Sequence, residues 1–256
     1  MPASADILTL PAPKADARFP YGTDGNQFLD LRLPELKGAH PLVIVVHGGY
    51  WRAKYNLEYA GHLCAALTLK GIATANLEYR RVGNPGGGWP GTFSDVRAAH
   101  QFLMQNVRRY NLDPKRMAAI GHSAGAQLAL CLAAYESNIK SVISLAGVID
   151  LQQAYALHLS NDAVVEFLGG TPNEVQDHYR EADPMTLRIG ARQWILHGTT
   201  DVDVPPVLSR NYAARKTKVK EDARLLEIAG AGHFDLVDPR SAAWKEVESA
   251  AIQATG

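Results

Sequence analysis

The chain is poor in the residues that staple or charge a protein. Two cysteines, Cys64 and Cys131, stand among 256 residues. Neither has a partner at disulfide-framework or metal-ligand spacing, and both fall within helical patterns, where they read as buried free thiols. A dominant charge is also lacking: 26 lysines plus arginines face 26 aspartates plus glutamates. No strong field draws in nucleic acid or an anionic membrane, so a small, roughly neutral partner fits better. No segment reaches the roughly 18 uninterrupted apolar residues of a membrane span. The opening MPASADILTLPAPKAD has no basic stretch leading into a long apolar one, so the expected compartment is the cytoplasm. HExxH, paired CxxC and clustered carboxylates are missing too, and no metal is expected.

What is present suits one globular α/β unit spanning residues 1–256. Hydrophobic residues make up 46% and charged residues 20% of the chain, close to the soluble average. Short apolar runs alternate with stretches of helical period, which predicts a mostly parallel sheet with helices on both faces. LVIVV (42–46) is apolar at every position, as in a strand buried on both faces. Ala60, Leu63, Cys64 and Leu67 recur at helical spacing before Gly71. IATANLEY reads as the next strand. TFSD then opens a helix carrying Val96, Ala99, Leu103 and Val107 on one face, closed by LDP near Pro114. MAAIG, SVISLAGV, QWILHG and ARLLEI are further strands, AGAQLALCLAA (124–134) is a buried helix, and QFLDLRL suggests an antiparallel edge. Between about 151 and 190 the pattern weakens, as expected of a small cap over a site.

The chemistry is concentrated in a few letters. AIGHSAGAQ holds G-x-S-x-G, with Ser123 between Gly121 and Gly125, at a predicted strand-to-helix turn. Such a turn projects the hydroxyl out of the fold, and flanking side chains would clash. A serine hydroxyl needs a histidine base, and the histidine needs a carboxylate. Downstream, Asp201 follows the strand QWILHG and His233 follows ARLLEI, both at the strand ends where open α/β sheets place ligands. Asp203 and Asp150 are alternative acids; Asp235 and Asp238 lie too near His233 in the chain. His47 and His197 precede glycines at strand ends and suit turn-shaping roles, whereas His122 could line the site. His62, His100, His158 and His178 suit solvated or structural roles. HGGYW (47–51) follows the central strand, and its glycines allow close backbone approach. The N–H groups of Gly49, Tyr50 and Ala124 are therefore candidate donors to a developing oxyanion, each typically worth about 2.7 to 4 kcal/mol.

With these motifs the chain resembles the α/β-hydrolase superfamily from about residue 20 onward. HGGYW with GHSAGA is similar to kynurenine formamidase (arylformamidase) and related bacterial carboxylesterases, although those relatives more often carry HGGG. The resemblance implies a sheet of about eight strands, a Ser123–His233–Asp201 triad, an oxyanion hole of Gly49, Tyr50 and Ala124, and no cofactor. The implied substrate is a small carboxylic ester or aryl formamide cleaved through an acyl-enzyme. Trp51, Tyr79 and Trp89 are expected to form an aromatic wall with His122 nearby. A catalytically silent ligand-binding protein on the same fold stays open as the alternative.

Overall fold

Burial alternates along the third strand, and that alternation organises the molecule. In the computed structural model, which describes residues 4–256, β3 (His40–Val46) turns Leu42, Ile44 and Val46 into one apolar layer and Val43 and Val45 into the other. Two helix layers are needed to cover such a strand. One is supplied by α1 (Ala60–Leu69) and α8 (Trp244–Thr255), the other chiefly by α2 (Gly91–Asn106), α3 (Ala124–Tyr135) and α7 (Val207–Lys218).

The sheet has eight strands in the order β1-β2-β4-β3-β5-β6-β7-β8. These are β1 (Ala17–Pro20), β2 (Phe28–Arg32), β3, β4 (Ala73–Leu77), β5 (Leu112–His122), β6 (Ser141–Leu145), β7 (Arg192–Gly198) and β8 (Ala223–Ile228). β1 and β2 pair antiparallel, β2 runs antiparallel to β4, and the rest are parallel. The antiparallel edge anticipated from QFLDLRL is thus present. β5 begins earlier than MAAIG suggested: Leu112 pairs with His40, and a register break precedes the pairing of Met117 with Leu42.

α2 opens at Gly91, beside TFSD as expected, and the Asp95 carboxylate takes hydrogen bonds from the Arg80 side chain at 2.6 and 2.8 Å and from Gln27 at 2.7 Å. Three short helices, α4 (Leu151–Ala156), α5 (Ala163–Leu168) and α6 (Gln176–Ala182), lie between β6 and β7. Among the described residues no helix is long and apolar enough to cross a membrane.

Candidate active site

The parallel strands end on the same edge, and three of their following loops converge there. After β5 the chain turns through Ser123 at φ 56° and ψ −124°, a region that costs a non-glycine residue on the order of 1–3 kcal/mol. Backbone bonds hold it there. Ser123 donates its N–H to the Leu145 carbonyl at 2.8 Å and accepts from the N–H groups of Ala126 and Val148 at 3.0 and 3.1 Å. The glycines on either side are dictated by space. A Cβ on Gly121 would lie 2.2 Å from the Gly125 carbonyl oxygen, and one on Gly125 would lie 2.2 Å from the Val46 and His47 oxygens. α3 starts at Ala124, so its positive N-terminal end faces the serine.

The loops after β7 and β8 bring the candidate acid and base together. His233 Nδ1 donates to Asp201 Oδ2 at 2.7 Å, and both residues are buried. Oδ1 of the same carboxylate accepts the N–H groups of Asp203 and Val204 at 2.9 and 2.8 Å. Oδ2 also lies 3.2 Å from His197 Nε2. Burial alone would raise the Asp201 pKa, but the bonds from His197 and His233 outweigh it and hold the group well below the usual carboxylate range. The carboxylate is therefore ionised and oriented at neutral pH. Among the described residues Ser123 Oγ makes no hydrogen bond to His233, a contact that commonly tightens only when substrate is bound.

The loop after β3 is bent back upon itself. Gly49, Tyr50 and Trp51 take φ values of 108°, 49° and 56°, three left-handed residues in a row. A Cβ on Gly48 would lie 2.7 Å from Ser123 Cβ, so this backbone passes directly beside the serine. Gly48 N–H is bonded to Tyr59 Oη at 2.6 Å. Gly49, Tyr50 and Ala124, by contrast, have no hydrogen-bond acceptor for their N–H groups among the described residues. These are the three N–H groups that HGGYW and GHSAGA offered as candidate donors.

Side chains hold the strained loop from several directions. Tyr50 Oη donates to the Asp203 carbonyl at 2.6 Å, linking this loop to that of the acid. Trp51 Nε1 donates to Gln127 Oε1 at 3.1 Å, and its ring stacks on Phe167 of α5 at 4.4 Å. Arg52 reaches Glu166 at 2.8 Å and the Ser160 carbonyl at 2.8 Å. Glu78 is buried beneath the loop, with His47 Nε2 at 3.2 Å and Arg81 Nη1 at 2.9 Å. Its own burial opposes ionisation, but these cationic and hydrogen-bonding neighbours lower its pKa.

The expected aromatic wall is not built. Trp51 and Tyr79 are both 0% exposed; the first packs under α5, and the second stacks on His47 while bonding its carbonyl at 2.7 Å. A large ring so placed supports the loop and touches no open space. Trp89 is half-buried, stacked on Phe93, where it braces its own loop. His122 is also buried rather than lining, and bonds Tyr59 and the His233 carbonyl. Asp150 caps α4 through Gln153 N–H at 3.0 Å, and Asp203 is exposed, which leaves Asp201 as the carboxylate on His233.

His197 carries more than the turn-shaping role expected of it. Its Nε2 serves Val204 O at 2.9 Å as well as Asp201; its spacing four residues before Asp201 was the available signal. Asp201, Asp203 and His233 bring ligand atoms within 4.8 Å of one another, a spacing a metal ion tolerates. Both oxygens of Asp201 are nevertheless already engaged by donors.

Comparison with known proteins agrees with this fold. The BD-FAE family model matches residues 29–215. A probable isoprenylcysteine alpha-carbonyl methylesterase of Arabidopsis thaliana is 26% identical over 241 residues, covering 84% of this chain and 56% of that protein. Esterase LipQ of Mycobacterium tuberculosis is 27% identical over 241 residues, covering 85% and 56%. The chain thus spans about half the length of the curated relatives it matches. Among solved structures, a truncated carbohydrate esterase from gut microbiota superposes with a TM-score of 0.82 at 21% identity, covering 95% of this chain and 99% of that one. Esterase B from Lactobacillus rhamnosis gives 0.78 at 14% identity, covering 98% and 91%.

Proposed function

The chain has the α/β-hydrolase fold and belongs to the BD-FAE family, and from that premise we propose that it is a serine hydrolase of small carboxylic esters. The observation that carries the proposal is the His233–Asp201 pair, joined at 2.7 Å and held beside the Ser123 turn, where the Gly48 backbone also passes. Ser123 Oγ attacks the ester carbonyl while His233 Nε2 accepts its proton. Asp201 keeps His233 in the Nδ1–H tautomer and stabilises the imidazolium. The new oxyanion is received by Ala124 N–H together with Gly49 and Tyr50 N–H. His233 passes its proton to the departing alkoxide, leaving an acyl-serine, and water repeats the sequence to release the acid.

Esters come first because the relatives named above are esterases and because Trp51 and Tyr79 are packed away from the site. The narrower reading, an aryl formamide as substrate, rests on HGGYW and on Tyr50, the half-buried aromatic beside the donors. We place the partner as a small molecule and the chain in the cytoplasm, a reducing compartment that suits two free buried thiols.

Labelling with a fluorophosphonate tests the reaction class: an adduct on Ser123 in folded protein supports it, and none would favour a silent ligand-binding protein. A panel of short p-nitrophenyl esters with N-formylkynurenine tests the substrate. Turnover of the esters without the formamide removes the narrower reading.

A further inference from the structure

From the backbone of Gly48 to that of the base His233 runs a buried chain of hydrogen bonds that the reaction scheme above does not use. Gly48 N–H meets Tyr59 Oη at 2.6 Å, Tyr59 Oη meets His122 Nδ1 at 2.9 Å, and His122 Nε2 meets the His233 carbonyl at 3.1 Å. Its members come from three places: the loop after β3, the end of β5 at the nucleophile turn and the loop after β8. We propose that Tyr59 and His122 form a neutral relay that fixes these loops relative to one another, making His122 a positioning residue for the hydrolysis. The inference rests on the serine-hydrolase reading.

The direction of every bond follows from chemistry. A backbone N–H only donates, so Tyr59 Oη is the acceptor for Gly48. The Tyr59 hydroxyl proton is then left for His122 Nδ1, which must be unprotonated to accept it. A carbonyl only accepts, so His122 Nε2 carries the hydrogen that reaches His233. Both hydrogen-bonding atoms of the ring are assigned, and the assignment is that of a neutral imidazole.

Surroundings reinforce it. His122 and Tyr59 are 3% and 6% exposed, and the His122 ring sits 4.6 Å from that of His233 with Phe234 packed against both. Burial foremost, then the charge of His233, keeps the His122 pKa well below its ordinary value, although Asp201 pulls the other way. A second cation at this distance would oppose the imidazolium that His233 becomes in the transition state. The relay also decides which amides face substrate. By engaging Gly48 N–H it removes that group from the oxyanion set and leaves those of Gly49 and Tyr50.

The two halves of the relay separate by substitution. Tyr59→Phe removes one oxygen and both of its bonds. His122→Asn keeps an acceptor near the Nδ1 position and loses the donor to His233; His122→Gln keeps a donor near Nε2 and loses the link to Tyr59. Each is assayed with p-nitrophenyl acetate for kcat and KM, by its rate of inactivation with fluorophosphonate, and for Tm.

We expect Tyr59→Phe to lower kcat and the inactivation rate about tenfold with KM within about twofold, as for the loss of one well-placed bond. His122→Asn and His122→Gln should each lose less than His122→Leu. Because Tyr59 and His122 act in one path, Tyr59→Phe combined with His122→Leu should lose less than the product of the two single losses. A lower Tm with unchanged kcat and inactivation rate in Tyr59→Phe would reduce the relay to packing, as would independent effects in the double variant. A wild-type chain that takes no label and turns over no ester would instead overturn the serine-hydrolase reading, and the relay's role with it.

Discussion

Replacing Asp201 by asparagine changes one oxygen to an amide nitrogen and leaves the volume untouched. The native carboxylate receives four donors: the N–H groups of Asp203 and Val204 on Oδ1, and His233 Nδ1 and His197 Nε2 on Oδ2. An amide has only one accepting side. Backbone N–H groups cannot change their role, whereas a histidine can change tautomer, so the new oxygen stays with Asp203 and Val204 and the NH2 group faces His233. Nδ1 must then accept, the proton moves to Nε2, and the nitrogen meant to deprotonate Ser123 is already protonated. The loss expected of a wrong tautomer is about 10⁴ in kcat, or about 5.4 kcal/mol of barrier, with KM changed only a few-fold.

The assay is kcat on a p-nitrophenyl ester beside Asp150→Asn, which retains the helix-capping acceptor and should stay within about twofold of wild type. A severe Asp150→Asn with a near-normal Asp201→Asn would refute the assignment of the acid. Equal KM and kcat losses in Asp201→Asn would refute the tautomer argument.

Three further outcomes are expected. Gly125→Ala places a Cβ 2.2 Å from two backbone oxygens, so its soluble yield or Tm should collapse, by more than about 4 kcal/mol where it can be measured. Trp51→Phe keeps the face that stacks on Phe167 but gives up the bond to Gln127. Stability should fall by about 1 kcal/mol, with the ranking of esters in a substrate panel unchanged. Asp183 is 1% exposed, and burial first, then Asp150, raises its pKa to about 7. The unfolded chain ionises near the ordinary value of about 3.9, so between there and pH 7 the folded state holds the extra proton and wild-type stability declines as pH rises. Asp183→Asn cannot titrate, and its Tm deficit relative to wild type should shrink from pH 5 to pH 8.

The parts of the site that obey short-range steric rules were legible in the sequence. Gly121 and Gly125 have no room for side chains, so the turn around Ser123 leaves its letters in place. Val43 and Val45 alternate with Leu42, Ile44 and Val46 between two apolar layers, so β3 is recognisable as doubly buried. Less visible was the start of β5, where Pro114 and the charged LDPKR conceal a strand that pairs at Leu112 and resumes at Met117. The inward direction of Trp51 was hidden as well. It depends on three consecutive left-handed residues and on Gln127, 76 residues away, neither of which leaves a local period. His197 looks like a turn former in the sequence because its second acceptor, Asp201, becomes its neighbour only when the loop closes.

The stack of Trp51 on Phe167 has a consequence for how such chains diversify. Phe167 belongs to the segment between β6 and β7, whereas Trp51 directly follows Gly49 and Tyr50, the proposed oxyanion donors. Transplanting that segment from a relative would therefore remove the floor beneath Trp51. A graft that brings a flat ring to the position of Phe167 and an acid to meet Arg52 should retain turnover. One that brings neither would spoil chemistry at residues it never replaced.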